Sequence, residues 1–329
     1  MPVIAASLLV NGLRADFADT YSAIRNRQAQ AALALVMELD VAATNRYHDF
    51  GYFEAGPHAE LWRRGDSIPT DGFDSKSFRA VVHNWGRRVE WHENDRADDQ
   101  TQSLSDQARS AGRSWGLLPE RMFFDLLLGT TTTLPAVPTA PDGAAFFATT
   151  ASGAARFGAT SGNLLTGSGV ATASAIQTDF YNAIEQAKAY QDGKGQPLFD
   201  ADTTDGPVLI IHGSGNTQAF EEAFLQKRQG VVKGTDAGTT PTNIVQDASR
   251  NVKLWGTSRI SDNDWFVFFL NAPKKPTFQL TRKALLEQSA FEGSQNSDRV
   301  RDTGMEYIQW QSRSGAGIAL PFGAIKINN

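Results

Sequence analysis

The stretch from Gln100 to Leu128, QTQSLSDQARSAGRSWGLLPERMFFDLLL, constrains this chain more than any other. Leu104, Ala108, Ala111, Trp115, Leu118 and Met122 recur at steps of four and three, the spacing of one helical face. Asp98 and Asp99 precede it, where acidic side chains favour a helix N-terminus. Gly129 and four threonines follow Leu128 and read as a C-terminal stop. At about 1.5 Å per residue the helix spans roughly 40 Å. Pro119 lies inside it and removes one backbone donor, so a bend is expected near Trp115 or Gly116. Apolar residues resume beyond it as Met122, Phe123, Leu126 and Leu127, so the helix resumes with them. Long irregular segments flank the helix on both sides. The pattern is that of a spine rather than of one member of a bundle.

Length and charge bound what surrounds the spine. At 329 residues the chain has room for two domains, or for one with large excursions. Hydrophobic residues make up 41% and charged residues 20%, enough for a buried core. A net charge of −5 gives no reason to expect tight nucleic-acid wrapping. The absence of cysteine removes disulfides and cysteine-ligated zinc, and it fits a reducing cytoplasm. No window approaches the roughly 20 apolar residues of a membrane span. The opening MPVIAASLLVNG has no basic residue ahead of its apolar run, which argues against a signal peptide.

From the N-terminus, residues 1–46 are Ala-rich and read as an extended arm with one or two short helices. Tyr47 to Phe53 is aromatic and β-prone. From Glu60 to Glu93, two extended runs surround a tip rich in Gly, Pro and Asp, around Pro69 and Asp71-Gly72. That describes a long hairpin whose tip has little to pack on its own monomer. After the spine, Thr130 to Gly169 carries a short strand over Ala144–Ala148 and otherwise reads as loop. So long a loop is uncommon in a compact monomer, and natural where neighbouring chains cover it. Thr172–Gln191 reads as a helix with Ser174 as N-cap. PVLIIH, Pro207–His212, has the continuous apolar run of a buried strand. A helix over Thr217–Gln229 follows. Then come a polar loop over Val231–Ala248 and strands Asn251–Ile260 and Trp265–Leu270 across the Ser261–Asp264 turn. Thr277–Gln288 mixes strand and helix signals. Gly304–Gln311 and Ile318–Ile327 read as two closing strands.

Few residues invite a chemical role. His212-Gly213-Ser214-Gly215-Asn216 sits between strand and helix, where a glycine turn cradles an anion or forms an oxyanion loop. It lacks the Lys-Ser/Thr ending of a phosphate-binding loop, and a plain strand-to-helix turn is the stronger reading. His48, His58, His83 and His92 form no metalloprotease pair, and His83 and His92 fall on opposite faces of a regular strand. Glu93, Asp95, Asp98 and Asp99 have the look of paired carboxylates but read better as a solvated lead into the helix. The doublets Arg63-Arg64 and Arg87-Arg88, near Trp62, Trp85 and Trp91, suit nucleic acid by stacking and phosphate contact. In an acidic protein, salt bridges to a neighbouring subunit are their stronger use. No catalytic, cofactor-binding or metal-binding residue is assigned.

The order of these segments resembles the major capsid proteins of tailed bacteriophages, and among them the Mu-like major head subunit. The resemblance rests on WRRGDSIP, FRAVVHNWGRRVEWHENDRADD leading into the helix, LPERMFFDLLLG at its end, then DGAAFF, SGNLL and DGKGQPL. KLWGTSRISDNDWFVFF, Pro276 and GMEYIQWQSRSGAGIALPFGAIKI complete it, so it spans most of Tyr47 to Ile327. It implies an α+β chain with the Hong Kong 97 phage capsid fold. The implied parts are an N-terminal arm (1–46), an extended E-loop with flanking strands (47–95) and a peripheral domain carrying the spine (96–169). An axial domain (170–299) and a return to the peripheral domain (300–329) follow. It implies a structural role rather than catalysis: a shell subunit, in hexamers and pentamers, around double-stranded DNA. A compartment shell of the encapsulin kind is the alternative with the same fold. A hydrolase or nucleotide binder using His212–Asn216 is a more distant one. Some relatives cross-link through an E-loop lysine. Lys76 stands near such a place, but no matching acceptor and glutamate are evident, so that chemistry is not carried over. The implied partners are a separate scaffolding protein, since no scaffolding segment precedes the arm, a portal, decoration proteins and packaged DNA held non-specifically. No membrane is involved. The implied location is the virion, assembled in the bacterial cytoplasm.

Overall fold

The computed structural model describes residues 6–52, 76–98, 103–169, 172–199, 201–225, 251–283, 290–292 and 297–329. In chain order the first half holds α1 (Ala6–Arg25), α2 (Gln28–Val36), β1 (Met37–Ala42), β2 (Tyr47–Tyr52), β3 (Lys76–Val81) and β4 (His83–His92). It continues with α3 (Glu93–Asp98), α4 (Ser103–Gly116), α5 (Leu118–Leu128), β5 (Thr150–Ala151), β6 (Ala154–Ala155) and β7 (Leu164–Thr166). The second half holds α6 (Ala173–Lys188), α7 (Ala201–Thr204), β8 (Val208–Gly213), α8 (Thr217–Phe224), β9 (Val252–Thr257) and β10 (Trp265–Phe269). β11 (Thr277–Lys283), β12 (Ala290–Glu292), β13 (Met305–Ile318) and β14 (Ala324–Asn328) close it. The chain divides into two compact units. Residues 1–48, 80–137 and 278–317 make the first, and residues 49–79, 138–277 and 318–329 the second.

The first unit is built on the spine. α4 and α5 abut across a single residue, Leu117, whose φ of −87° and ψ of −3° stay close to helical. The amide of Leu117 still donates to Arg113, and that of Arg121 to Leu117. The break expected near Trp115 or Gly116 therefore falls at Leu117, one residue beyond Gly116. Proline at the start of α5 has no N–H for the Trp115 carbonyl, and its ring crowds that carbonyl. No loop separates the two helices. Gly129, at φ 67°, ends α5 in the left-handed conformation that glycine adopts without strain. The buried Asp125 then collects the threonine run by accepting from Thr130 Oγ1 and from the amides of Thr133 and Leu134.

The N-terminal segment differs from the expected extended arm. α1 is 20 residues long. Val10, Leu13, Phe17 and Ile24 repeat at near-heptad spacing and are all buried. α1 lies against α4, where Gly112 and Gly116 let the backbones approach. A β-carbon on Gly112 would stand 2.6 Å from the Phe17 carbonyl oxygen, and one on Gly116 2.7 Å from Ile24 Cγ2. Phe17 also stacks on Trp310 at 4.6 Å. Asp16 accepts hydrogen bonds from Ser105 Oγ and, at 3.0 Å, from Arg109. The apolar repeat had an intramolecular partner, and burial against it stabilises a long helix that propensity alone leaves marginal.

A sheet ordered β1-β11-β13-β12, with β4 also on β13, completes this unit. β4 and β13 are antiparallel, from Met305 opposite His92 to Ser314 opposite His83. The extended run expected over Phe78–Trp91 is thus two strands. The hairpin's tip, and with it Arg63-Arg64 and His58, lies outside the described residues. At its base β2 and β3 form a two-stranded ribbon, with Phe50 stacked on Phe78 and Arg79 paired to Asp49 at 2.7 Å.

The second unit carries a sheet ordered β7-β14-β10-β8-β9. β8 runs parallel to β9 and antiparallel to β10, so the strands either side of the Ser261–Asp264 turn flank β8 instead of pairing together. α6 and α8 pack over the sheet in one core containing Phe180, Ile184, Phe220, Phe224, Trp265 and Ile325. α6 is capped by Thr172, whose hydroxyl accepts from Ala175 N at 3.3 Å, and not by Ser174. Residues 144–148 are not a strand. Ala145 and Phe146 give their carbonyls to Arg156, and the Ala148 amide donates to Asn163 Oδ1, so side chains take the place of a ladder. Arg156 is only 1% exposed and pairs with Asp142 at 2.6 Å. Asn163, fully buried, also donates to Phe146, Pro321 and Ala324 carbonyls. The closing strand corrects one boundary. Residues 300–329 were expected to return together to the spine's domain. β14 instead pairs with β10 and β7 in the second unit's sheet. Its alternate residues Ile325 and Ile327 are fully buried in that core.

Candidate assembly surface

β4 reads WGRRVEW, and its pleat sorts these residues by parity. Trp85, Arg87, Val89 and Trp91 share the face that carries Ser312, Trp310, Ile308 and Glu306 of β13. Trp91 Nε1 donates to the buried Glu306 at 2.9 Å, and Trp85 Nε1 to the Ser314 carbonyl at 2.9 Å. The opposite face is wet. There Arg88 lies 3.9 Å over the Tyr307 ring and donates to Glu90 and Gln309. The doublet Arg87-Arg88 therefore splits, one arginine to each face.

Between the inner face of β4 and the spine lies an open cleft of about 420 Å³. Trp85 and Val89 line it from the strand, and Ala111, Trp115 and Leu118 from the spine. Arg87, Arg121, Ser110 and Ser114 form its rim. Arg121 reaches Ser114 Oγ at 3.4 Å, and neither arginine has a carboxylate partner among the described residues. An apolar floor with two unneutralised cations suits an acidic peptide carrying apolar side chains. The alternation of β4 and the helical face of α4 were each legible in the sequence. Their meeting across the cleft was not, because it depends on tertiary packing.

The turn after β8 takes the plain structural reading. His212 is 1% exposed, stacks on Phe220 at 4.3 Å and 6°, and sets Nδ1 2.9 Å from the Gly213 carbonyl. Burial holds its imidazole below the ordinary histidine range. Thr217 Oγ1 donates to Ser214 and Asn216 to Asn263, so the side chains of the turn are spent on its own geometry. His83 and His92 lie on opposite faces of β4, and burial and the charge of Arg46 lower His83. Among the described residues no group of three or more His, Asp or Glu is arranged to hold a metal. Asp95 accepts from the His92 amide at 3.2 Å at the start of α3. Arg87 and Arg88 sit as described above. Asp99 and the side chain of Asp98 lie outside the described residues. No described helix is long and apolar enough to cross a membrane.

No protein-family model matches the chain, and no curated protein matches it. Solved structures do. The mature capsid of bacteriophage PhiM1 superposes with a TM-score of 0.58 at 7% identity, covering 89% of this chain and 85% of that one. The capsid of an empty GTA particle gives 0.57 at 11% identity, covering 92% and 91%. A virus-like particle from Pyrococcus furiosus gives 0.50 at 11% identity, covering 97% and 98%. At such identities the likeness is one of fold. The chain has the Hong Kong 97 phage capsid fold, a mixed helix and sheet architecture, over most of its length.

Proposed function

We propose that this chain is the major shell subunit of a tailed phage or prophage, self-assembling into an icosahedral head around double-stranded DNA. The observation that carries the reading is the shared fold. It extends over about nine-tenths of both chains in two particles described as capsids. A closed shell needs a subunit with surfaces complementary to its copies. The cleft beside the spine, with two arginines that have no carboxylate partner among the described residues, supports that use. In this reading the first unit is the peripheral domain, and the second, with β14 included, is the axial domain that meets its copies at five-fold and quasi-six-fold centres. The role is structural rather than catalytic. A separate scaffolding protein, a portal and decoration proteins are the partners, and the mature location is the virion. Membership of the Mu-like group rests on the sequence resemblance alone.

The likeness to the Pyrococcus furiosus particle, near complete over both chains, favours a compartment shell as the second reading. Nuclease treatment of particles purified from producing cells separates the two. A phage head protects double-stranded DNA, whereas a compartment encloses protein and yields none. A chain that sediments as a monomer at all concentrations contradicts both.

A further inference from the structure

We propose that the groove between β7 and α6 receives the basic stretch of residues 227–233, KRQGVVK, from a second copy of the chain. The inference rests on the shell reading and names a contact that closes second units into a ring. The groove measures about 370 Å³ and lies within that unit. Leu165 of β7 and Ile327 of β14 give it an apolar floor. Asp179, Asn182 and Glu185 of α6 form its wall, and among the described residues no lysine or arginine lines it. Asp179 is only 4% exposed, and each of its oxygens accepts one bond from Ser168, which leaves each with further accepting capacity. Glu185 is exposed and has no cation partner among the described residues. β7 pairs with β14 alone, so its outer edge is open. Among the described residues no group of three or more His, Asp or Glu gathers there to hold a metal ion. Carboxylates over an apolar floor, beside an open strand edge, suit an extended segment that brings cations and apolar side chains.

The stretch KRQGVVK has that character. It carries Lys227, Arg228 and Lys233, no carboxylate, and the β-branched pair Val231-Val232. The geometry of α6 decides between the chain's own stretch and a neighbour's. Gln177 Nε2 donates to the Ala223 carbonyl at 2.7 Å, so α8 ends against the flank of α6 that carries Gln177. Asn182 lies five residues on, about 140° around the helix. α6 therefore stands between the root of the stretch and the groove of the same chain. Val231 lies six residues beyond Leu225 and can extend roughly 20 Å from it, enough to enter an abutting copy. Strand order sets the same polarity, with β7 at one edge of the sheet and β9, which follows the stretch in sequence, at the other. At about 4.8 Å per strand those edges are roughly 19 Å apart. Donor and acceptor on opposite sides of one unit make a heterologous contact, which passes from copy to copy and closes where the rotation allows. In that contact one valine covers Leu165 and Ile327, and the cations meet Glu185 and Asp179.

The chain has no cysteine, so cross-linking has no background. Asn182→Cys and Gln229→Cys are placed in two differently tagged full-length chains, which are co-expressed and oxidised with diamide. The expected product is a disulfide-linked dimer carrying both tags. A single chain with both cysteines should give covalent oligomers that end at five and six copies. Glu185→Lys should lower the mixed yield at least about tenfold. Adding Lys227→Glu with Arg228→Glu should restore it, which a folding defect would not do. Four results overturn the inference while leaving the shell reading intact. They are particles that form with no mixed dimer, a disulfide that closes only within one chain, oligomers that stop at two copies, and a yield indifferent to charge reversal. Failure to form any multimer overturns the shell reading as well.

Discussion

Gly112 and Phe17 approach so closely that a single β-carbon on the glycine would stand 2.6 Å from the Phe17 carbonyl oxygen. The obstacle is backbone, which cannot rotate away. Gly112→Ala must therefore push α1 off the spine or strain both helices, at a cost of about 1–3 kcal/mol. Urea unfolding of the purified chain measures it. An unchanged midpoint would mean that α1 does not pack on α4 at this depth.

Trp115 tests the spine itself. It is buried beside Leu118 at the junction with α5 and also lines the cleft. Trp115→Ala should cost about 3–5 kcal/mol through lost burial and the cavity left behind. Normal solubility and melting would show that the helix is not the core element of its unit.

Arg156 tests the second unit. Its guanidinium is only 1% exposed and is matched by Asp142, Asn163 and two carbonyls. Asp142→Asn leaves most hydrogen bonds but removes the countercharge, stranding a buried cation. A loss of about 3–5 kcal/mol is expected, and Arg156→Met should lose less than Asp142→Asn if the stranded charge dominates. Thermal melts of the two variants decide the order.

Acid should loosen the fold in two steps, the first from buried histidines and the second from a carboxylate. The hydrogen bond from Ser105, then the contact and charge of Arg109, hold the Asp16 carboxyl below the ordinary carboxylate range. A depressed carboxyl contributes stability that is complete above about pH 4 and lost as pH falls through its lower folded value. Asp16→Asn should therefore cost about 1 kcal/mol at pH 7, and the gap to the parent should narrow as pH falls below about 4. Burial depresses His212 too, so the folded chain resists protonating it. That penalty begins as pH falls below about 6.5, earlier than the Asp16 effect. Chemical unfolding followed from pH 7 to pH 2 resolves the two steps in the parent chain. His212→Phe should reduce the first, leaving the part contributed by His83.

The spine, the order of the elements and the buried strand β8 were legible because each carries a local period or an unbroken apolar run. Leu104, Trp115 and Met122 mark a helical face without reference to the rest of the chain. What stayed hidden depends on partners far along the sequence. Ala144–Ala148 has the composition of a strand, but Arg156 and Asn163 occupy its hydrogen-bonding groups. Ile325 and Ile327 alternate as a strand should, yet only the register with β10 tells which sheet they join. The close packing of α1 is permitted by Gly112 and Gly116, whose lack of side chains is easily read as weakness in α4 rather than as room for a second helix. The cleft needed both β4 and the spine in place before Arg87 and Arg121 could be recognised on one rim.

The central claim, that the chain builds closed shells, is met most directly by cryo-electron microscopy of the purified full-length protein. Closed icosahedral particles, or capsomer rings of five and six copies, are the expected result. A field of single subunits at high concentration would contradict the account.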